Sequence, residues 1–233
     1  MPGPVKRIPP WSWAASGKHP VVKDYFTVGK ATPLMNTFSH WMEEGCQKVI
    51  GNTPRHSWRF FARGVKKEEV SCGLIRDSQD GAGRSFPLLI MGYGRLDGWE
   101  SLWEHLPVVF DGLWERLEFL CSKRAFDLDE LKGDIKGLPT PMLSERLDRA
   151  AETPAGFSVP PGHEGVFSFD LKDVRDHLKE VVGMLRSLKA HIQSIPEVVF
   201  VGGLPDQSFL VAFTRSLGPK DFEKLWTMKS APS

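Results

Sequence analysis

The chain has 233 residues, 41% hydrophobic and 25% charged, an ordinary composition for a soluble globular protein able to bury about 70% of its unfolded surface. A net charge of +1 and the lack of long basic tracts give no electrostatic reason to expect nucleic acid as a partner. No apolar run reaches the roughly 18 residues of a membrane span, and residues 1–16 hold four prolines where a signal peptide would have its apolar core, so no membrane insertion is expected.

The start, MPGPVKRIPPW, is Pro-rich and irregular, and aromatic and small residues alternating over Trp11 to Ala15 suggest a strand. Trp11 and Trp13, beside that start, are candidates for an exposed protein-binding edge. Thr32 offers an N-cap, with Pro33 at the first helical position, where a missing N–H costs least. Leu34, Phe38, Trp41, Met42, Val49 and Ile50 then recur at helical spacing, predicting an amphipathic helix over 33–50.

A run of strands follows. Trp58, Phe60 and Ala62 alternate with Ser57, Arg59 and Arg63 as on a half-buried sheet face, and Phe61 breaks the pattern. Val70, Cys72 and Leu74 continue with period two, and the apolar run 86–91 suits a central strand covered on both faces. Short connections make these three an antiparallel meander. Trp99, Leu102, Trp103 and Leu106 line a short helix before Pro107, and Phe110, Leu113, Trp114, Leu117 and Leu120 line a longer one after it.

Residues 137–163 contain five prolines and few large apolar side chains. They read as a long connection, with a short helix at Ser144 to Ala151 and a candidate boundary between a core at 17–136 and a second part at 164–233. A stripe from Leu171 through Val174, Leu178, Val181, Leu185 and Leu188 to Ile192 predicts a long helix with a charged outer face. Glu197 to Val201 and Ser208 to Phe213 read as strands flanking a turn at Gly202 to Pro205, and Pro219 to Trp226 as a closing helix. Two short strands and a helix cannot stand alone, so they are expected to extend the main sheet, making 1–233 a single domain. The fold class is α+β: a largely antiparallel sheet flanked by helices, an α/β/α sandwich.

Candidate chemistry is sparse. Cys46, Cys72 and Cys121 sit in apolar segments without metal-ligand spacing and read as small buried hydrophobes, compatible with a reduced cytosol. The seven histidines show no metal-binding spacing, and no nucleophile elbow exists. Asp127, Asp129, Glu130 and Asp134 read as a helix N-terminus in preference to a calcium loop. The loop Gly81-Ala82-Gly83-Arg84 is open to two readings. It is either an anion cradle, glycines admitting backbone N–H groups and Arg84 gripping the ligand, or a tight turn with Arg84 paired to Asp80 or Asp77. No catalytic constellation, metal set or cofactor site is expected.

One stretch is specific. Ser78-Gln79-Asp80-Gly81-Ala82-Gly83-Arg84-Ser85-Phe86-Pro87-Leu88 has the order S-x-D-x-x-G-R-x-F-P-L, which closely resembles the signature of the TagF (ImpM) family of type VI secretion accessory proteins. The family's G-K-x-P-x-x-G-D-F segment is matched by Gly17-Lys18-His19-Pro20-Val21-Val22-Lys23-Asp24-Tyr25-Phe26, with Lys23 in place of a glycine and Tyr25 inserted. Trp58-Arg59-Phe60 matches a W-x-F strand, and Asp77 stands where the signature has a proline.

The resemblance implies a fold related to longin or profilin-like modules. It also implies a cytoplasmic, non-enzymatic accessory protein that represses secretion post-translationally by binding the system's forkhead-associated (FHA) scaffold protein. The residues it offers for protein binding are Lys18, Asp24, Ser78, Asp80, Gly83 and Arg84. A small-molecule or anion sensor using Gly81 to Arg84, and a structural baseplate accessory, stand as alternatives.

Overall fold

A computed structural model describes residues 11–49, 55–123, 127–143, 157–171 and 177–229. Eight strands form one sheet: β1 (Ser12–Gly17), β2 (Phe26–Gly29), β3 (Ser57–Arg63), β4 (Glu69–Arg76), β5 (Leu88–Arg95), β6 (Val166–Asp170), β7 (Val198–Leu204) and β8 (Gln207–Phe213). Their order is β2-β1-β5-β4-β3-β7-β8-β6, and every neighbouring pair is antiparallel. Helices α1 (Pro33–Val49) and α5 (Pro219–Thr227) cover one face. The other carries α2 (Leu106–Ser122), α3 (Leu128–Lys136) and α4 (His177–His191). The α+β class, the meander β3-β4-β5 and the addition of the carboxyl-terminal strands to the same sheet agree with the sequence reading.

Phe61 shows why the alternation of β3 looked broken. The strand lies mid-sheet with helices on both sides, so Trp58 and Phe60 pack against α1 and α5 while Phe61 packs under α2. Helix α1 begins as its cap predicts, with the Met35 N–H donating to Thr32 Oγ1 at 3.2 Å. Asp127 caps α3, accepting from the N–H groups of Asp129 and Glu130 at 2.9 Å each.

Several expectations are corrected. Trp11 and Trp13 are not an exposed edge: Trp13 is buried, and Trp11 lies over β5, where a Cβ on Gly92 would come within 2.2 Å of its indole nitrogen. β5 runs on past the apolar run because Gly94 and Arg95 still pair with Val70 and Glu69 of β4. Gly202 and Gly203 belong to β7, paired with Trp58 and Ser57, and the turn lies beyond them. Leu171 is not helical; it follows β6, and its N–H donates to the Ser208 carbonyl at 2.8 Å. The segment before Pro107 forms two 3-10 turns, Trp99–Ser101 and Trp103–His105, leading into α2. Strands β2 and β6, four and five residues long at the two edges of the sheet, are too short for their alternation to stand out in the sequence. The helix expected at 144–151 lies outside the described residues.

Candidate functional site

Two segments far apart in sequence meet at the end of β1. Gly17 closes that strand at φ +125°, with no room for a side chain, since a Cβ there would be 2.1 Å from the Pro87 carbonyl oxygen. This close approach lays residues 18–25 along the loop 78–87. The Gly81 N–H donates to the Val22 carbonyl at 2.7 Å.

Asp80 is the centre of the junction, its side chain fully buried. Oδ1 accepts from the backbone N–H groups of Ala82 at 3.0 Å and Arg84 at 2.9 Å. Oδ2 receives Arg84 Nε at 2.8 Å and lies 3.2 Å from Lys18 Nζ. The Asp80 carbonyl accepts from the Gly83 N–H at 2.9 Å, with Gly83 at φ +80° closing the turn. Burial by itself would raise the carboxyl's pKa. The Arg84 N–H, the Lys18 ammonium, the Ala82 N–H and the Arg84 guanidinium outweigh it and hold the group at about 2.

Arg84 joins this centre to the other segment. Its Nη2 donates to the Lys23 carbonyl at 2.6 Å and lies 3.6 Å from Asp24 Oδ2. The Tyr25 ring meets Phe86 edge-on at 5.5 Å, and the Phe86 N–H donates to the Ser78 carbonyl at 3.0 Å. Thus Lys18, Asp24, Ser78, Asp80, Gly83 and Arg84 are brought together, but in two layers. Lys18 and Asp80 are the support, whereas Asp24, Gly83 and Arg84 face solvent, with side-chain exposures of 74% for Asp24 and 55% for Arg84.

The geometry decides between the two readings of the glycine loop. The N–H groups of Gly81, Ala82, Gly83 and Arg84 are all engaged by Val22 and Asp80. Asp80 itself sits where an external anion would bind, so the loop is a tight turn and not an anion cradle. Arg84 pairs with Asp80, not with Asp77. Asp77 instead accepts from the His56 N–H at 2.8 Å and from Trp226 Nε1 at 2.7 Å, tying α5 to the base of the sheet.

Sequence reading also missed the pairing of Arg59, whose Nε and Nη2 donate to the Glu118 carboxylate at 2.8 and 3.0 Å. An arginine among the apolar residues of β3 was the available signal. Burial pushes up the pKa of Cys46, helped by Asp77, and of Cys121, each to about 12, disfavouring the thiolate a nucleophile needs. Among the described residues, no three His, Cys, Asp or Glu side chains gather as metal ligands do. None of the described helices is long and apolar enough to cross a membrane.

A family model described as the TagF N-terminal domain, type VI secretion system-associated, matches residues 14–138. The chain belongs to the TagF family. Both motif segments of this TagF chain fall inside the match, while β6, β7, β8, α4 and α5 follow it in sequence and complete the same sheet. The TagF chain is therefore a type VI secretion-associated protein. Its fold is similar to that in the crystal structure of PA0076 from Pseudomonas aeruginosa PAO1, with a TM-score of 0.57 over 95% of this chain and 98% of that one. At 18% identity that likeness concerns the fold alone. No curated protein matches the TagF chain.

Proposed function

We propose that this chain is a cytoplasmic, non-enzymatic accessory protein that restrains type VI secretion after translation, by binding the FHA-domain scaffold protein of the system. One observation carries the reading. The two most distinctive segments of the family pattern converge on one buried carboxylate and hold a rigid, solvent-facing rim of Asp24, Tyr25, Gly83 and Arg84. Such a pre-organised rim loses little conformational freedom on binding, which favours recognition of another protein. The partner and the sense of the regulation follow what the family resemblance implies.

The test is to express the chain with its cognate secretion system and follow the tube protein in medium and cells. Secretion should fall while cellular abundance of the tube protein stays constant. The variant Asp24→Lys, which reverses a charge on the rim while leaving Asp80 and its donors in place, should restore secretion. Undiminished secretion with the wild-type chain would contradict the reading.

A further inference from the structure

Away from the signature loop, the sheet face under α2 ends in a cleft of about 490 Å³, a size suited to a small ligand or a single side chain with its flanks. Its floor is one row of cross-strand neighbours: Arg76 opposite Ser57, Ser57 opposite Gly203, and Gly203 opposite Ser208. The next row on this face is Leu74, Arg59, Val201 and Leu210. Replacing its bulk by Ser, Gly and Ser opens the space.

Among the described residues, three arginines, Arg55, Arg59 and Arg76, line the cleft, opposed by one acid, Glu118. Arg59 is engaged by Glu118 through two bonds and by Asp111 at 3.4 Å from Nη1. Among the described residues Arg76 makes one side-chain bond, from Nη1 to Ser122 Oγ at 3.0 Å. Arg55 is exposed at the mouth, and neither its guanidinium nor the hydroxyls of Ser57 and Ser208 have a partner among the described residues. Two guanidinium groups with open donors over two open hydroxyls supply more hydrogen bonds than a carboxylate accepts. They suit the several oxygens and double charge of a phosphate monoester.

We infer that this cleft binds a phosphate monoester, with Arg76 and Arg55 on the phosphate oxygens and Ser57 and Ser208 donating from the floor. The cleft is larger than a phosphate, so the group arrives on a carrier, either a small phosphorylated molecule or a phosphorylated side chain. The inference does not rest on the signature rim or on the proposed scaffold.

Calorimetric titration of the full chain with phenyl phosphate, AMP and a phosphoserine peptide tests it, with phenol, adenosine and the unphosphorylated peptide as controls, at about 150 mM salt to screen loose attraction. At least one phosphate-bearing probe should bind saturably while its control does not. Arg55→Ala and Arg76→Ala should each weaken binding about tenfold. Ser208→Leu, which fills the floor but keeps every arginine, should abolish it, with thermal melts confirming that the variants fold. Preference for the peptide assigns a phosphoprotein as source, and preference for AMP or phenyl phosphate a small molecule. Lack of phosphate-dependent binding at millimolar probe, or binding unchanged in Ser208→Leu or in a variant combining Arg55→Ala with Arg76→Ala, would overturn the inference.

Discussion

Asp80 is buried, ionised and surrounded by donors, so removing its charge leaves Lys18 and Arg84 without their shared acceptor. Its folded pKa of about 2 lies below the ordinary 3.8. The stabilisation is therefore present above the unfolded value and is lost as pH falls through the folded one. Asp80→Asn is predicted to lower the urea midpoint at neutral pH and to flatten its decline between pH of about 4 and 2, where the wild type loses this contribution. His19 acts in the same direction at higher pH. Its ring is buried, with Nδ1 accepting from the Val21 N–H at 3.2 Å, and burial lowers its pKa. The unfolded chain then binds the proton more readily, so stability falls as pH drops below about 6.5. His19→Gln should remove that step from the stability profile. At this scale the sequence singled out Asp80 and Arg84 and left open whether they pair with each other. Asp80 and Arg84 are adjacent in any turn, but that the carboxylate is buried depends on residues 18–24, which only the tertiary fold delivers.

The elements were read best where one face is apolar and a proline stands at the start, as in α1, α2 and α5. They were missed where a strand is short and lies at a sheet edge, as with β2 and β6, because few residues carry the alternation. Contacts between elements were not legible. A glycine inside a helix is intrinsically unfavourable, yet a Cβ on Gly45 of α1 would lie 2.3 Å from Phe222 Cβ, so the glycine sets how closely α5 approaches. Gly45→Ala is predicted to cost about 1–3 kcal/mol in chemical denaturation by overpacking this contact. Asp77 likewise gains its meaning from Trp226, whose ring stacks on Phe222 at 4.0 Å and whose Nε1 reaches the carboxylate. Trp226→Phe keeps the stack and removes the donor, and should destabilise by about 1–3 kcal/mol. Its effect should largely disappear in an Asp77→Ala background, a double-mutant cycle that reports the coupling directly.

Across the whole molecule, the family match ends at residue 138, but the sheet does not. β7 pairs with β3 along six positions, Ser57↔Gly203 to Ala62↔Val198, and α5 closes the core over α1. A fragment spanning 14–138 would expose the flank of β3 and the apolar faces of Trp58, Phe60 and Trp41. We expect that fragment to aggregate or remain unfolded by circular dichroism, and the full chain to unfold in one cooperative transition. Hydrophobic periodicity made the layered α+β architecture legible, since the long helices and the central strands differ in period. Strand order was legible only for the local meander, because non-local pairings leave no signal in a single sequence.

The measurement that bears most directly on the regulatory account is a binding titration between the purified chain and the FHA-domain scaffold protein of its own secretion system, repeated with Asp24→Lys. The account predicts saturable binding to the scaffold that the rim variant weakens by about tenfold or more without altering the thermal melt. An absence of scaffold binding by the wild-type chain, or capture of baseplate components in its place from host lysate, would contradict it.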